Sequence, residues 1–208
     1  MLGIIMGAVI SIAVSALSVT KTITVVGSAL KALGNALMGI AKALGLIESE
    51  EKVEDLGDKA IQAEEHGIKP EDFSTYSEYV KSVEDFETDS ERSKEISEDE
   101  KALKGIELTS GVTIEHFGDK FPVEEFFKFV AQHPEYFRED RMTEFGQIME
   151  NEPEKEKNIF AYMNGTENND AKIEEAVSAL KSIEKSIEPE ISDREALYRA
   201  IEARIEQK

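Results

Sequence analysis

Residues Lys31–Gly45 read KALGNALMGIAKALG, with the tetrapeptide KALG repeated eleven residues apart. Eleven residues of α-helix make three turns and about 20° more, so the repeat returns to nearly the same helix face. Laid on a helix, Leu30, Leu33, Leu37, Ile40, Leu44 and Ile47 form one large-aliphatic seam. Ser28, Lys31, Asn35 and Lys42 fall almost opposite it. Small residues fill the flanks: Ala29, Ala32, Ala36, Gly39 and Ala43 on one side, Gly27, Gly34 and Ala41 on the other. The stretch predicts an amphipathic helix with a narrow cationic stripe. Its glycines each cost up to about 1 kcal/mol in helix propensity, so close packing against another backbone is expected to compensate.

Outward from this helix the chain divides by charge. The 208 residues carry 24 Lys and Arg against 44 Asp and Glu, a net charge of −20. The first acid is Glu48, and Lys21, Lys31 and Lys42 are the charged side chains before it. Residues 1–47 therefore carry +3 and leave −23 for residues 48–208. We read 1–47 as an apolar membrane-inserting or assembly arm and 48–208 as an acidic soluble helical domain.

The opening MLGIIMGAVISIAVSALSVT is uncharged up to Lys21. Twenty helical residues measure roughly 30 Å, the thickness of a hydrocarbon core. Ala13-Val14-Ser15-Ala16 resembles a signal-peptidase site, yet no Lys or Arg precedes the apolar run, so retention is expected. A straight helix of all 47 residues would be roughly 70 Å long, so a break is expected near Ser18–Thr24. The arm is then a hairpin of two spans, or one span followed by an interfacial helix. The lysines after the first span favour a cytoplasmic acidic domain.

The acidic remainder reads as short helices. Val53, Leu56, Ala60 and Ile61 recur at helical spacing over 50–66, with Gly67 as a stop. A helix over Ser74–Glu87 would bury Tyr76, Tyr79, Val80, Val83 and Phe86. Thr88–Glu91, Ser97–Glu100 and Ser192–Glu195 match the capping box. The segment IELTSGVTIEHF (Ile106–Phe117) alternates on both sides of Ser110-Gly111 and suits one small β-hairpin, with helical continuation from Lys101 as the alternative. Six of the ten phenylalanines gather between Phe117 and Phe137, and Pro122 and Pro134 bound a helix among them. Ile159, Phe160 and Met163 predict a short helix ending at Asn164-Gly165. Helices from Asp170 to Ile187 and from Asp193 onward form a hairpin, the second burying Leu197, Ile201 and Ile205. The fold class is mainly α.

Composition excludes several activities. There is no cysteine, hence no disulfide and no thiolate metal site. An acidic body repels nucleic-acid phosphate, so DNA and RNA are not expected partners. His66, His116 and His133 occupy no metal-ligand spacing, and phosphate-loop, dinucleotide, nucleophile-elbow and calcium-loop patterns are absent. Carboxylates are too frequent for any pair to signal acid–base catalysis, so no enzyme, cofactor or metal is expected. Asn164-Gly165-Thr166 matches the glycosylation acceptor pattern.

The sequence thus predicts a membrane-inserting, self-associating α-helical protein, a membrane anchor or a channel-forming module with a soluble regulatory or docking domain, whose polar stripe would line the pore if subunits form a ring. In it the Leu30–Ile47 seam meets lipid or a neighbouring subunit, small flanks pack subunits, and Lys31, Asn35 and Lys42 face water. Its partners would be a lipid membrane, further copies of the chain and a protein docked on the acidic domain. The alternatives are a structural subunit of a large phage-like or injection particle, within a virion or secreted particle, whose arm is buried between subunits or released later into a target membrane, and a membrane-anchored adaptor.

Overall fold

The computed structural model describes residues 27–48, 50–118, 126, 130 and 136–204. The uncharged opening stretch, its expected break near Ser18–Thr24, His133 and Ile205 lie outside these residues. Among the described residues there are nine α-helices and no strand.

The first helix, α1 (Gly27–Ala43), lies against α5 and α6 and touches the start of α2. Leu33, Ala36, Leu37, Met38, Ile40 and Ala41 are all buried. Next comes α2 (Val53–Glu65), entered with Asp55 accepting a hydrogen bond from the Lys52 backbone N–H at 3.1 Å and left through Gly67, whose φ is +89°. A 3-10 turn at Pro70–Asp72 leads into α3 (Tyr76–Glu84). Thr75 caps α3 from within the chain, and Glu115 caps it from another helix. The Glu115 carboxylate accepts the Tyr76 and Ser77 backbone N–H groups at 2.7 and 2.8 Å.

Short α4 (Ser90–Glu95) begins one residue later than the capping-box spacing suggested. Asp89 rather than Thr88 is its cap, accepting from the Glu91 and Arg92 N–H groups. The long α5 (Glu98–Phe117) starts on the predicted Ser97–Glu100 box. It overturns the β-hairpin expectation for Ile106–Phe117. From Gly105 through Ile114 every residue except Glu107 is buried, so this helix is enclosed on nearly all sides. A helix covered all round needs no amphipathic period, and its short alternations carry no strand meaning. The hydroxyls of Thr109 and Thr113 donate to the carbonyls of Gly105 and Thr109, at 2.9 and 2.7 Å, which removes the cost of burying them.

The crossing of α2 and α5 is close because it is glycine on both sides. A Cβ on Gly57 would overlap the Lys101 carbonyl oxygen, and one on Gly105 would overlap the Val53 carbonyl oxygen.

The second half of the bundle contains α6 (Glu139–Asn151), α7 (Pro153–Met163), α8 (Asp170–Ile187) and α9 (Asp193–Glu202). Pro153 opens α7 at a position where its missing N–H costs nothing. Phe126, Phe137, Phe145 and Phe160 are buried and meet edge-on, at 6.4 Å for Phe126 with Phe137 and with Phe160, and 5.3 Å for Phe145 with Phe160. Helices α8 and α9 form the expected hairpin, but α9 packs by a different face. Ala196, Ala200 and Ala203 are buried, whereas Leu197 and Ile201 are 40% and 52% exposed. Small side chains let the two helices approach, and the larger ones are left outward. One continuous set of buried residues runs from Leu30 to Ala203.

Candidate functional site

Leu30, Leu33, Leu37, Ile40 and Ile47 are buried in the bundle, and Leu44 is half-buried. Of the small residues, Ala32, Ala36 and Gly39 are buried and Ala43 is half-buried, while the Ala29 side chain lies outside the described residues. Lys31 and Asn35 are exposed, and half-buried Lys42 donates to the Glu51 carbonyl at 3.3 Å. The structure therefore gathers the seam and its flanks against α5 and α6 and turns the polar stripe outward. Ile40 and Ala43 reach α6 where it has Gly146; a Cβ built there would lie 3.3 Å from the Ala43 Cβ. Among the described residues, no helix is long and apolar enough to cross a membrane.

The polar contacts lie elsewhere, and they join helix to helix. Lys101 Nζ sits 3.5 Å from Asp58, and Lys104 Nζ 2.7 Å from Glu64, tying α5 to α2. The buried Gln62 amide donates to Asp58 at 2.9 Å and accepts the Asp89 N–H at 2.8 Å, which anchors the start of α4. The Ser93 hydroxyl also donates to Asp58. His116 and Glu150 meet at 2.7 Å, linking α5 to α6.

Glu184 on α8 is 1% exposed and would be costly to bury alone. Arg141 on α6 holds both its oxygens, Nε to Oε1 at 2.7 Å and Nη2 to Oε2 at 3.0 Å, and Arg199 on α9 adds a contact at 3.4 Å. The Arg141 guanidinium stacks on the Tyr136 ring, 4.8 Å from its centre. Burial beside Glu184 pushes the Tyr136 hydroxyl up from the usual phenol range. Asp193, at the start of α9, is held down to about 2 by Lys185 and Lys181 of α8. These contacts escaped the sequence reading because Arg141 and Glu184 are 43 residues apart and neither lies in a recognisable motif.

The histidines among the described residues make local contacts. His66 donates its Nδ1–H to the Gln62 carbonyl at 2.8 Å at the end of α2, and its ring leans on Phe86. The neighbours Glu115 and His116 serve different helices, the first capping α3 and the second pairing with Glu150. Among the described residues no three His, Asp or Glu side chains are grouped to hold a metal ion. A groove of about 540 Å³ between α6, α7 and α8 has Ile148, Ala179 and Ile183 along its floor. The Lys155 at its rim already pairs with Glu152 at 2.5 Å. At the sequon, Asn164 is half-buried at the end of α7, and the Thr166 hydroxyl donates to the Ala161 carbonyl at 3.1 Å.

Among the described residues, Lys31 and Asn35 are exposed on α1, and Leu197, Tyr198 and Ile201 are large apolar side chains exposed on α9, with Tyr198 57% exposed. Large apolar side chains presented together in this way are the usual material of a protein contact. No family model, curated protein or solved structure matches the chain.

Proposed function

We propose that this is a membrane-associated, self-associating α-helical protein. In this reading residues 1–47 form the membrane-facing module, and the acidic helices form a soluble body that regulates it and docks a protein partner. One observation carries the reading. The acid-free stretch ends inside the fold, its last helix α1 packed into the core with Lys31 and Asn35 as the exposed side chains between Leu30 and Ala43. The uncharged twenty-residue sequence of spanning length precedes this helix in the chain and is joined through it to a stretch of charge −23. The outward face of α9 supplies the surface a partner or another copy would use.

The test is flotation of the full chain with phosphatidylcholine vesicles, with and without phosphatidylglycerol. The control is the same chain carrying Ile10→Lys and Val14→Lys. Flotation of the parent, lost in the variant at unchanged melting temperature, supports the reading. An intact chain that stays at the bottom of the gradient and elutes as a particle-sized species removes it, and leaves the structural-subunit alternative.

A further inference from the structure

The bundle has two kinds of joint. The α2–α5, α5–α6, α6–α8 and α8–α9 joints each carry ion pairs or hydrogen bonds: Lys104 with Glu64, His116 with Glu150, Arg141 with Glu184, and Arg199 with Glu188 at 3.0 Å. Helix α1 differs. Among the described residues, no side chain from Leu30 to Ala41 makes a hydrogen bond or ion pair with another element. Over these residues it meets α5 and α6 by apolar contact. Polar anchoring begins in its last turn, where Lys42 reaches the Glu51 carbonyl at 3.3 Å, and continues past its end, where the Glu48 N–H is accepted by Glu84 at 2.9 Å. Between these lies Gly45, in the left-handed region at φ +65° with open space around it.

We propose that α1 is a releasable helix. It leaves its cradle between α5 and α6 by swinging at Gly45 and lies in the headgroup layer of a membrane, while the polar joints keep the rest of the bundle together. This rests on the membrane reading above and adds the moving part.

Directional bonds tie a helix to one partner, whereas the hydrophobic effect is non-directional and acts toward any apolar surface, lipid included. The helix bonds its interior backbone groups to one another, and the end groups it leaves over would meet the wet headgroup layer. Its seventeen residues measure roughly 25 Å, short of a hydrocarbon core but suited to lying along the interface. There the seam points down, and Lys31, Asn35 and Lys42 point to water. Held in the bundle, the same seam is withheld from lipid, which makes the cradle an autoinhibitory contact.

The absence of cysteine and tryptophan allows a clean test on the full chain. Ala43→Cys with Gly146→Cys places two Cβ atoms about 3.3 Å apart, close to disulfide geometry. Leu30→Trp adds a sole tryptophan, excited apart from the five tyrosines at the red edge, at the other end of α1. Oxidised and reduced proteins are floated with phosphatidylcholine–phosphatidylglycerol vesicles, and tryptophan quenching by brominated lipid is measured. Both forms are expected to float, with quenching several-fold stronger in the reduced one. Equal quenching in the two forms overturns the release and leaves the membrane reading standing. Flotation of neither form overturns both. A disulfide-linked dimer as the main oxidised product also overturns the release, in favour of α1 exchanging between copies. An oxidised monomer that melts no lower than the reduced protein shows that the bond formed at the native α1–α6 contact.

Discussion

Replacing Leu37 by alanine separates a core helix from one that merely rests on the bundle. Leu37 is 0% exposed, in the middle of α1. The change removes three carbons, which at about 0.8 kcal/mol each is about 2.4 kcal/mol of transfer free energy. The cavity left behind adds to this, because the close-packed walls contributed by α5 and α6 relax only in part. The total expected is about 2–5 kcal/mol, or roughly 5–15 °C in melting temperature for a chain of this length. Urea unfolding followed by far-UV circular dichroism measures it, provided the slope with denaturant is unchanged. Lys31→Ala on the same helix is the internal control, since an exposed side chain should move stability by no more than about 0.5 kcal/mol. If Leu37→Ala costs no more than Lys31→Ala, α1 is not part of the folded core and the packing argument fails.

The remaining expectations concern the joints. Gly105→Ala drives a methyl group into the Val53 carbonyl, so α2 and α5 must separate; we expect a loss of about 1–3 kcal/mol in the same urea experiment, against the small gain alanine would bring to an open helix. Arg141→Met leaves Glu184 buried without its main partner and should cost about 3–5 kcal/mol, while adding Glu184→Met should recover most of it in a double-mutant cycle. Asp193 has its pKa depressed to about 2 against an ordinary 3.8, so the α8–α9 contact it makes is fully present above the ordinary value and is lost as pH falls through the depressed one. Carboxyl chemical shifts titrating near 4 in the folded protein would contradict this.

How much could be read beforehand depends on whether a residue's role is local. Ser97 and Ser192 cap the helices their spacing announces, and Gly67 ends α2, because caps and stops are settled within one turn. The sidedness of α1 was equally visible, with Leu33 and Leu37 inward and Lys31 and Asn35 outward. Periodicity names the side that is covered but not the material that covers it, and here the cover is α5 and α6. The segment Ile106–Phe117 misled because all-round burial erases the 3.6-residue period. In α9 two stripes competed, and the smaller side chains, Ala196, Ala200 and Ala203, won the inward side through close approach. Helix α6 has no counterpart among the sequence expectations, its acids and Gly146 hiding the buried Met142, Phe145 and Met149. The Arg141–Glu184 pair depends on chain reversal between distant segments, which no local rule contains.

The position of α1 in the chain also sets an order in time. Both walls of its cradle are synthesised after it, and the second, α6, is finished about a hundred residues later. At roughly 5–20 residues per second, a nascent chain carries this apolar helix for about 5–20 s before the walls exist to receive it. Translation thus opens a window in which the seam is uncovered, and the ribosome's distance from a bilayer or a chaperone during those seconds becomes part of how the chain reaches its folded form.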